Sequence, residues 1–399
     1  NNIFSFNYRL FERYHKKSNS FSMTKIFIFS SLIFTLFLDC SSVRDNEVEF
    51  TKNFLGGKLD SISFDGSKYK AFIKPAFEPV NESPYFAFKV RSKNKQLINL
   101  VLNYGNYKHR YVPKLSYDRI NWIPINSKDL FLNKDSGEAI LKIVVSNKPL
   151  FIAAQEVNST VDNKKWINKQ FLKSTLHKID TIGFTPNNNP LVVLQSNKNL
   201  KKAIVIVARQ HPPEIPGGTF AFNSFYETFF DKDHLSEKFR KQYNIISFPM
   251  PNPDGVDSGY WRHNSNGVDL NRDWIEFTQP ETKVIKQFLE SKVSLGLKIE
   301  FAIDFHTSYS GPYLLTLDSL NQTLSKGLTK KWINNINSNS SFLVEERKRS
   351  QKLPYCYNYF FNQFNSEAVT YEEGDEINRD TIKKRARVYA KQLINTLLN

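Results

Sequence analysis

The hydrophobic and polar positions along the chain change their period once. From about residue 45 to residue 152 the apolar residues come in short runs, several alternating with polar ones, at 61–64, 69–73, 85–90, 97–102 and 139–145. Alternation with period two in runs this short marks half-buried strands, and Asp65-Gly66 and Tyr104-Gly105-Asn106 punctuate them as turns. This segment is predicted to be an all-β sandwich domain spanning 45–152. From 153 to 399 helical spacing alternates with continuous apolar runs. Helices are predicted at 161–172, 222–230, 281–289 and 379–398, and strands at 191–194, 203–208, 244–248 and 301–305. That alternation predicts an α/β domain, a mixed sheet with helices on both faces. A chain of 399 residues exceeds what a single core supports, so two domains are the natural division.

The ends of two predicted strands carry metal-binding chemistry. The run 203–208 is apolar and rich in β-branched residues, and it leads directly into Arg209-Gln210-His211-Pro212-Pro213-Glu214. The run 301–305 delivers His306 in the same way. Two imidazoles and one carboxylate form a ligand set that leaves the fourth position of a tetrahedral zinc ion open to water, the signature of a catalytic rather than a structural site. Pro212 and Pro213 disfavour a helix between the first two ligands, which places His211 and Glu214 on a loop.

Further motifs follow in order: Asn252-Pro253-Asp254-Gly255-Val256, Arg262, Gly267-Val268-Asp269-Leu270-Asn271-Arg272-Asp273-Trp274 and Thr370-Tyr371-Glu372-Glu373-Gly374-Asp375. Together with the ligand pattern, this set resembles the zinc carboxypeptidases of the M14 family, and the β segment ahead of it resembles the N-terminal domain of their cytosolic-carboxypeptidase branch. The resemblance implies one zinc ion per chain on His211, Glu214 and His306. It implies Glu372 as the general base, Arg262 as the cation facing the developing oxyanion, and Asn271 with Arg272 as the holders of the substrate's terminal carboxylate. If 370–373 is a strand, only one of Glu372 and Glu373 can face the metal. Asp304 either orients a ligand imidazole or is a strand-end charge. The family's substrate-contacting tyrosine stays open among Tyr355, Tyr357 and Tyr359, whose alternate spacing is more often strand or core packing than catalysis. His15, His109, His177 and His234 read as surface residues, and His263 as a residue beside the cleft without a catalytic role.

Composition adds less. The net charge of +16 is spread along the chain, and no compact Lys/Arg tract with interleaved aromatics marks a nucleic-acid module. Met23-Thr24-Lys25, the apolar stretch 26–38 and Cys40 resemble a bacterial lipoprotein signal, with Asp39 where a small residue is usual. The expectation is an exported protein, periplasmic or at the cell surface, attached to the membrane through lipidated Cys40. Residues 1–22 read as an upstream translation or a disordered leader. The leading expectation is a metallocarboxypeptidase acting on peptide or cell-wall peptide substrates. The alternatives are an amidohydrolase or deacylase of N-acyl amino acids, and a catalytically silent surface binding protein. The sequence does not specify an oligomeric state.

Overall fold

A computed structural model describes residues 48–133, 137–174, 178–317 and 323–399. The signal-like stretch, Cys40, His15 and His177 lie outside the described residues. All described residues belong to one compact unit, Ser41–Asn399.

The first part is β throughout: β1 (Val48–Thr51), β2 (Ser61–Phe64), β3 (Tyr69–Phe72), β4 (Ala87–Ser92), β5 (Gln96–Asn103), β6 (Lys114–Ser116), β7 (Ile123–Pro124), β8 (Leu130–Leu132), β9 (Ala139–Val145) and β10 (Leu150–Ala153). They form two five-stranded sheets, ordered β1-β4-β10-β6-β7 and β2-β3-β5-β9-β8. Phe88 and Ile152 of the first sheet share one buried cluster with Leu100 and Leu141 of the second. On β9 the buried residues Ala139, Leu141, Ile143 and Val145 alternate with more exposed ones, the pattern of a strand with one covered face. Trp261, from far along the chain, completes this core; it is 2% exposed and meets the ring of Tyr107 edge-on at 5.2 Å.

The second part is built on eight strands: β11 (Lys178–Phe184), β12 (Pro190–Gln195), β13 (Lys202–Ala208), β14 (Tyr243–Phe248), β15 (Lys298–Ser308), β16 (Tyr313–Leu317), β17 (Glu346–Arg349) and β18 (Glu367–Gly374). Their order is β11-β12-β14-β13-β15-β18-β16-β17. The central strands β14, β13, β15 and β18 are parallel, and antiparallel neighbours flank them, which makes the sheet mixed. Its helices are α1 (Thr160–Lys173), α2 (Phe222–Thr228), α3 (His234–Arg240), α4 (Pro253–Asp257), α5 (Pro280–Ser294), α6 (Leu328–Asn339), α7 (Cys356–Phe364) and α8 (Arg379–Leu398). Period two along β13 feeds both faces of the sheet. Ile204 and Ile206 pack with residues of α2, α6 and α8, whereas Val205 and Val207 pack with residues of α5 and α7. The α/β fold with helices on both faces is thus as expected. Helix α1 starts at a capping box, with the Ser159 and Asp162 side chains each bonded to the other's backbone N–H.

Two readings need comment. Of the strand or core packing expected for the tyrosines spaced by two, core packing is what Tyr357 and Tyr359 show, inside α7, with Tyr355 as its N-cap. His109 is not a surface residue; its ring nitrogen Nδ1 lies 2.9 Å from the hydroxyl of Tyr104, and burial holds its imidazole down at about 4. His234 is exposed, as expected.

Candidate active site

The site forms where the parallel strands end, the usual place for a ligand in an α/β sheet. Strand β13 stops at Ala208, and Arg209, with φ of 52°, turns the chain off the sheet edge. Beyond it His211 and Glu214 lie on a loop, as the two prolines require. The next turn passes so close to β15 that a Cβ on Gly217 would sit 1.8 Å from the carbonyl oxygen of His306, so only glycine fits there. Register places β15 beside β13, with Ala208 opposite Phe305, and β18 beside β15, with Glu372 opposite His306. Two strand ends and one loop therefore converge on a single point.

At that point the Glu214 carboxylate lies between the two imidazoles, with Oε1 2.8 Å from Nδ1 of His211 and Oε2 2.7 Å from Nδ1 of His306. The candidate ligand atoms of the three residues all lie within 4.8 Å of one another. The donors of a tetrahedral zinc ion lie roughly 3.4 Å apart, the scale on which these three groups are gathered. The far nitrogens are also engaged: Nε2 of His211 is 2.8 Å from Asp269 Oδ1, and Nε2 of His306 is 2.7 Å from Asp304 Oδ2. Each of these carboxylates suits an Nε2–H donor, and with that tautomer Nδ1 would be the nitrogen free to hold a metal ion. Asp304 is thus buried against the His306 imidazole, where it is placed to orient that ring. Asp269 is placed in the same way for His211, a role that sequence reasoning missed although the residue lies in the quoted Gly267–Trp274 stretch. Burial alone would raise the carboxyl of Glu214, but the two imidazoles outweigh it and hold it well below the ordinary range.

The remaining expected residues face the same cavity. A pocket of about 230 Å³ is lined by His211, Glu214 and His306 together with Arg262, Asn271, Arg272 and Glu372. Glu372 presents its carboxylate to this pocket with Oε2 buried and without a hydrogen-bond partner. Burial pushes its carboxyl up to about 7, with the imidazoles of His306 and His211 opposing and Glu214 and Asp304 adding to the rise. Glu373 points to the other face of the strand, where it pairs with Arg385 and accepts from the Tyr371 hydroxyl at 2.7 Å. Arg262 donates from Nε to Asp269 Oδ2 at 2.6 Å, so one carboxylate steadies both a ligand histidine and the neighbouring arginine. Asn271 accepts from the backbone N–H of Cys356 at 2.9 Å, which pins the start of α7 to the site. Arg272 stacks its guanidinium 4.2 Å from the ring centre of Tyr355.

Tyr355 is the one of the three tyrosines that lines the pocket; Tyr357 is 1% exposed and Tyr359 packs on Trp274. His263 does not line the pocket and packs against Phe77. Sequence reasoning also missed Asn81 and Arg110, which the β-region contributes to the pocket wall, and Arg349 at the end of β17. None of these three falls in a motif, and only the fold brings them to the cleft.

The peptidase M14 family, described as zinc carboxypeptidase, matches residues 164–390, more than half of the chain. The chain belongs to the M14 zinc carboxypeptidases. It is similar to cytosolic carboxypeptidase 6 of Caenorhabditis elegans, 26% identical over 267 residues that cover 58% of this chain and 55% of the relative. The chain thus spans about half the length of that relative. Mouse cytosolic carboxypeptidase 6 is 32% identical over 129 residues, covering 29% of this chain and 23% of the relative. Among solved structures, a metallo-carboxypeptidase from Burkholderia cenocepacia matches with a TM-score of 0.71 at 18% identity, covering 88% of this chain and 98% of that one. A Pseudomonas aeruginosa metallo-carboxypeptidase, solved in complex with (2-guanidinoethylmercapto)succinic acid, matches with a TM-score of 0.69 at 16% identity, covering 88% and 98%. At these identities the match shows the fold, and it extends over the β-region as well as the α/β part. The chain is therefore a member of the M14 family with the fold of the metallo-carboxypeptidases, and its His/Glu/His cluster is suited to zinc.

Proposed function

We propose that this M14 enzyme removes single residues from the C-terminus of peptides, with one zinc ion per chain held by His211, Glu214 and His306. The observation that carries this reading is the shared pocket: the ligand cluster, Glu372, Arg262 and Arg272 all line it. Zinc bound there supplies an acidified water and a Lewis acid for the scissile carbonyl. The residues of the chain do the rest. Glu372, with a free oxygen, takes the proton of the attacking water and passes it to the leaving amine, a contribution of ~10²–10⁴ in rate. Arg262, steadied by Asp269, meets the negative charge that develops on the carbonyl oxygen. Arg272, held by its stack on Tyr355, receives the terminal carboxylate, and Asn271 fixes the floor beside it.

The pocket also suggests which residue is removed. Arg349 lines it near Leu315 and Thr370 and forms no ion pair among the described residues. Arg110 is paired with Asp375, and Arg262 and Arg272 are already assigned to the carbonyl oxygen and the terminal carboxylate. Arg349 is thus the cation left over to meet a substrate side chain, which favours an acidic C-terminal residue. The apolar stretch 26–38 ahead of Cys40 supports action outside the cytoplasm from a lipid anchor, a point that palmitate labelling of Cys40 would test.

The deciding experiment is mass spectrometry of a mixed peptide pool incubated with the purified chain, with and without a zinc chelator, beside the Glu372→Gln variant. The expected result is ladders shortened from the C-terminus that vanish with chelator and in the variant. Intact peptides in every tube, with zinc shown to be bound, would refute the peptidase reading.

A further inference from the structure

Three carboxyl groups are buried around the turn that joins Arg262 to Asp269, and two of them are equipped to carry charge. Asp254 of α4 accepts four hydrogen bonds, one of them from Ser265 Oγ in the turn at 2.9 Å. Asp273, ahead of α5, accepts four from Thr278, Gln279 and Thr282. Glu281, in the first turn of α5, is 0% exposed and accepts, besides its own backbone N–H, from one side chain: Asn264 Nδ2 lies 3.2 Å from each of its oxygens. The charged groups that act on it are Asp254 and Asp273, both acidic. Among the basic residues of the adjoining segments, His263 packs on Phe77, Lys283 is exposed and Lys286 lies over the ring of Phe277. A buried carboxylate with so few donors, facing two like charges, is strongly unfavourable, so the neutral acid is the form that fits this place. In agreement, burial and the two aspartates raise the carboxyl to about 7, against the pull of its own N–H and of Asn264.

Asn264 is fully buried as well and spends its whole side chain on the turn and on α5. Its Oδ1 accepts the backbone N–H groups of Asn266 at 3.1 Å and Val268 at 3.0 Å, and its Nδ2 is shared between Gln279 Oε1 at 2.9 Å and Glu281. Its own N–H and carbonyl bond Val268 and Gly267 across the same turn. Arg262 stands two residues before Asn264, and Asp269, which holds Arg262, directly follows Val268. Neither Glu281 nor Asn264 lines the metal pocket. We propose that Glu281 is a positioning residue that acts through Asn264: as a neutral acid it keeps the turn 264–268 closed and Arg262 and Asp269–Arg272 in place, and on losing its proton it loosens the turn and disarms the site. The third negative charge, in a space without a cation, is relieved by admitting water, and the turn bonded to the acid moves with it. The effect on turnover rests on the roles proposed above for Arg262, Asn271 and Arg272.

The test compares the zinc-loaded chain with Glu281→Gln, which is neutral at every pH, at pH 6 and pH 8.5 with zinc content measured in each sample. The ratio of variant to wild-type kcat/KM on one cleaved peptide should rise about tenfold between the two pH values, part of the roughly 10²–10³ that a lost oxyanion donor costs. Whatever Glu372 adds to the profile is common to both proteins and cancels in the ratio. A ratio that does not change with pH overturns the proposal. Hydrogen–deuterium exchange followed by mass spectrometry reads the turn itself. From pH 6 to pH 8.5 the segment 263–270 of the wild type should gain exchange beyond the rise that hydroxide catalysis gives to β13, and the variant should not; equal gains in both proteins overturn the proposal. If the wild type cleaves no peptide at either pH, the peptidase reading fails on its own, and exchange still decides whether Glu281 governs the turn. If the variant does not fold, the wild-type exchange decides, and a turn that tracks β13 refutes the coupling.

Discussion

Asp269 serves two masters, and replacing it with asparagine separates the chemistry of the metal from that of the oxyanion. Its Oδ1 accepts from His211 Nε2 and from the backbone N–H of Asn271 at 2.9 Å, while its Oδ2 accepts from Arg262 Nε. In Asp269→Asn one of these two oxygens becomes an NH₂ group facing a donor, so either His211 or Arg262 loses its partner whichever way the amide turns. Loss of a carboxylate behind a ligand histidine typically weakens metal binding ~10–100-fold, or about 1.4–2.7 kcal/mol. Loss of a positioned oxyanion donor costs on the order of 10²–10³ in turnover. The expected outcome is weaker zinc binding, read by competition with a chromophoric chelator, together with a fall in kcat that saturating zinc does not restore. Asp304→Asn is the control, because Asp304 Oδ2 receives both the His306 Nε2 and the Gln210 Nε2 contacts, each at 2.7 Å. An amide oxygen can keep both, so that variant should lose the charge alone, with a smaller drop in zinc affinity and kcat preserved at saturating zinc. Asp269→Asn with zinc affinity and kcat within threefold of wild type would refute the dual role.

Three further outcomes follow from the geometry. Gly217→Ala drives a Cβ into the His306 carbonyl, so it should abolish zinc binding or folding, seen as loss of metal in the purified protein or of the cooperative thermal transition. Glu281 is buried and receives Asn264 Nδ2 at 3.2 Å, and burial raises its carboxyl from 4.5 to about 7. Its burial carries no charge penalty below pH 4.5, a growing one between 4.5 and 7, and the full one above 7. Glu281→Gln should therefore match the wild type near pH 4.5 and be more stable above pH 7 by on the order of 2–3 kcal/mol in urea melts at fixed zinc; equal differences at both pH values would contradict this. Arg349→Glu should lower kcat/KM for peptides ending in glutamate by about 10–100-fold, the worth of a charge-assisted hydrogen bond, with little change for peptides ending in leucine; a uniform fall would point to damage of the whole pocket.

The elements that sequence reasoning read best are those whose burial is uniform over several residues. Strand β13 and the start of β15 are continuous apolar runs ending at the ligands, and α8 keeps helical spacing over its whole length. Strands β6, β7 and β8 span two or three residues each, too few to show a period. Helix α7 stayed unread because its tyrosines alternate, which suits a strand as well as a packed helix. Within the site, the expected metal, base and arginine residues all reach one pocket. What stayed hidden was the work of residues whose partners lie far off in sequence. Nothing local distinguishes Asp269 from a turn aspartate, and Arg349 is one of three basic residues on β17 until the fold sets it on the cleft wall.

Trp261 has a practical consequence for anyone cutting this protein into parts. The residue before Arg262 is sunk in the core shared by the two N-terminal sheets, where Ser83 donates to its carbonyl at 3.2 Å. A fragment that begins near residue 153, the boundary the chain's own periodicity invites, would leave an indole in water and release the anchor beside Arg262. Expression boundaries drawn around the α/β part alone should give a protein that still carries its three metal ligands and hydrolyses poorly, a failure easily mistaken for the wrong substrate.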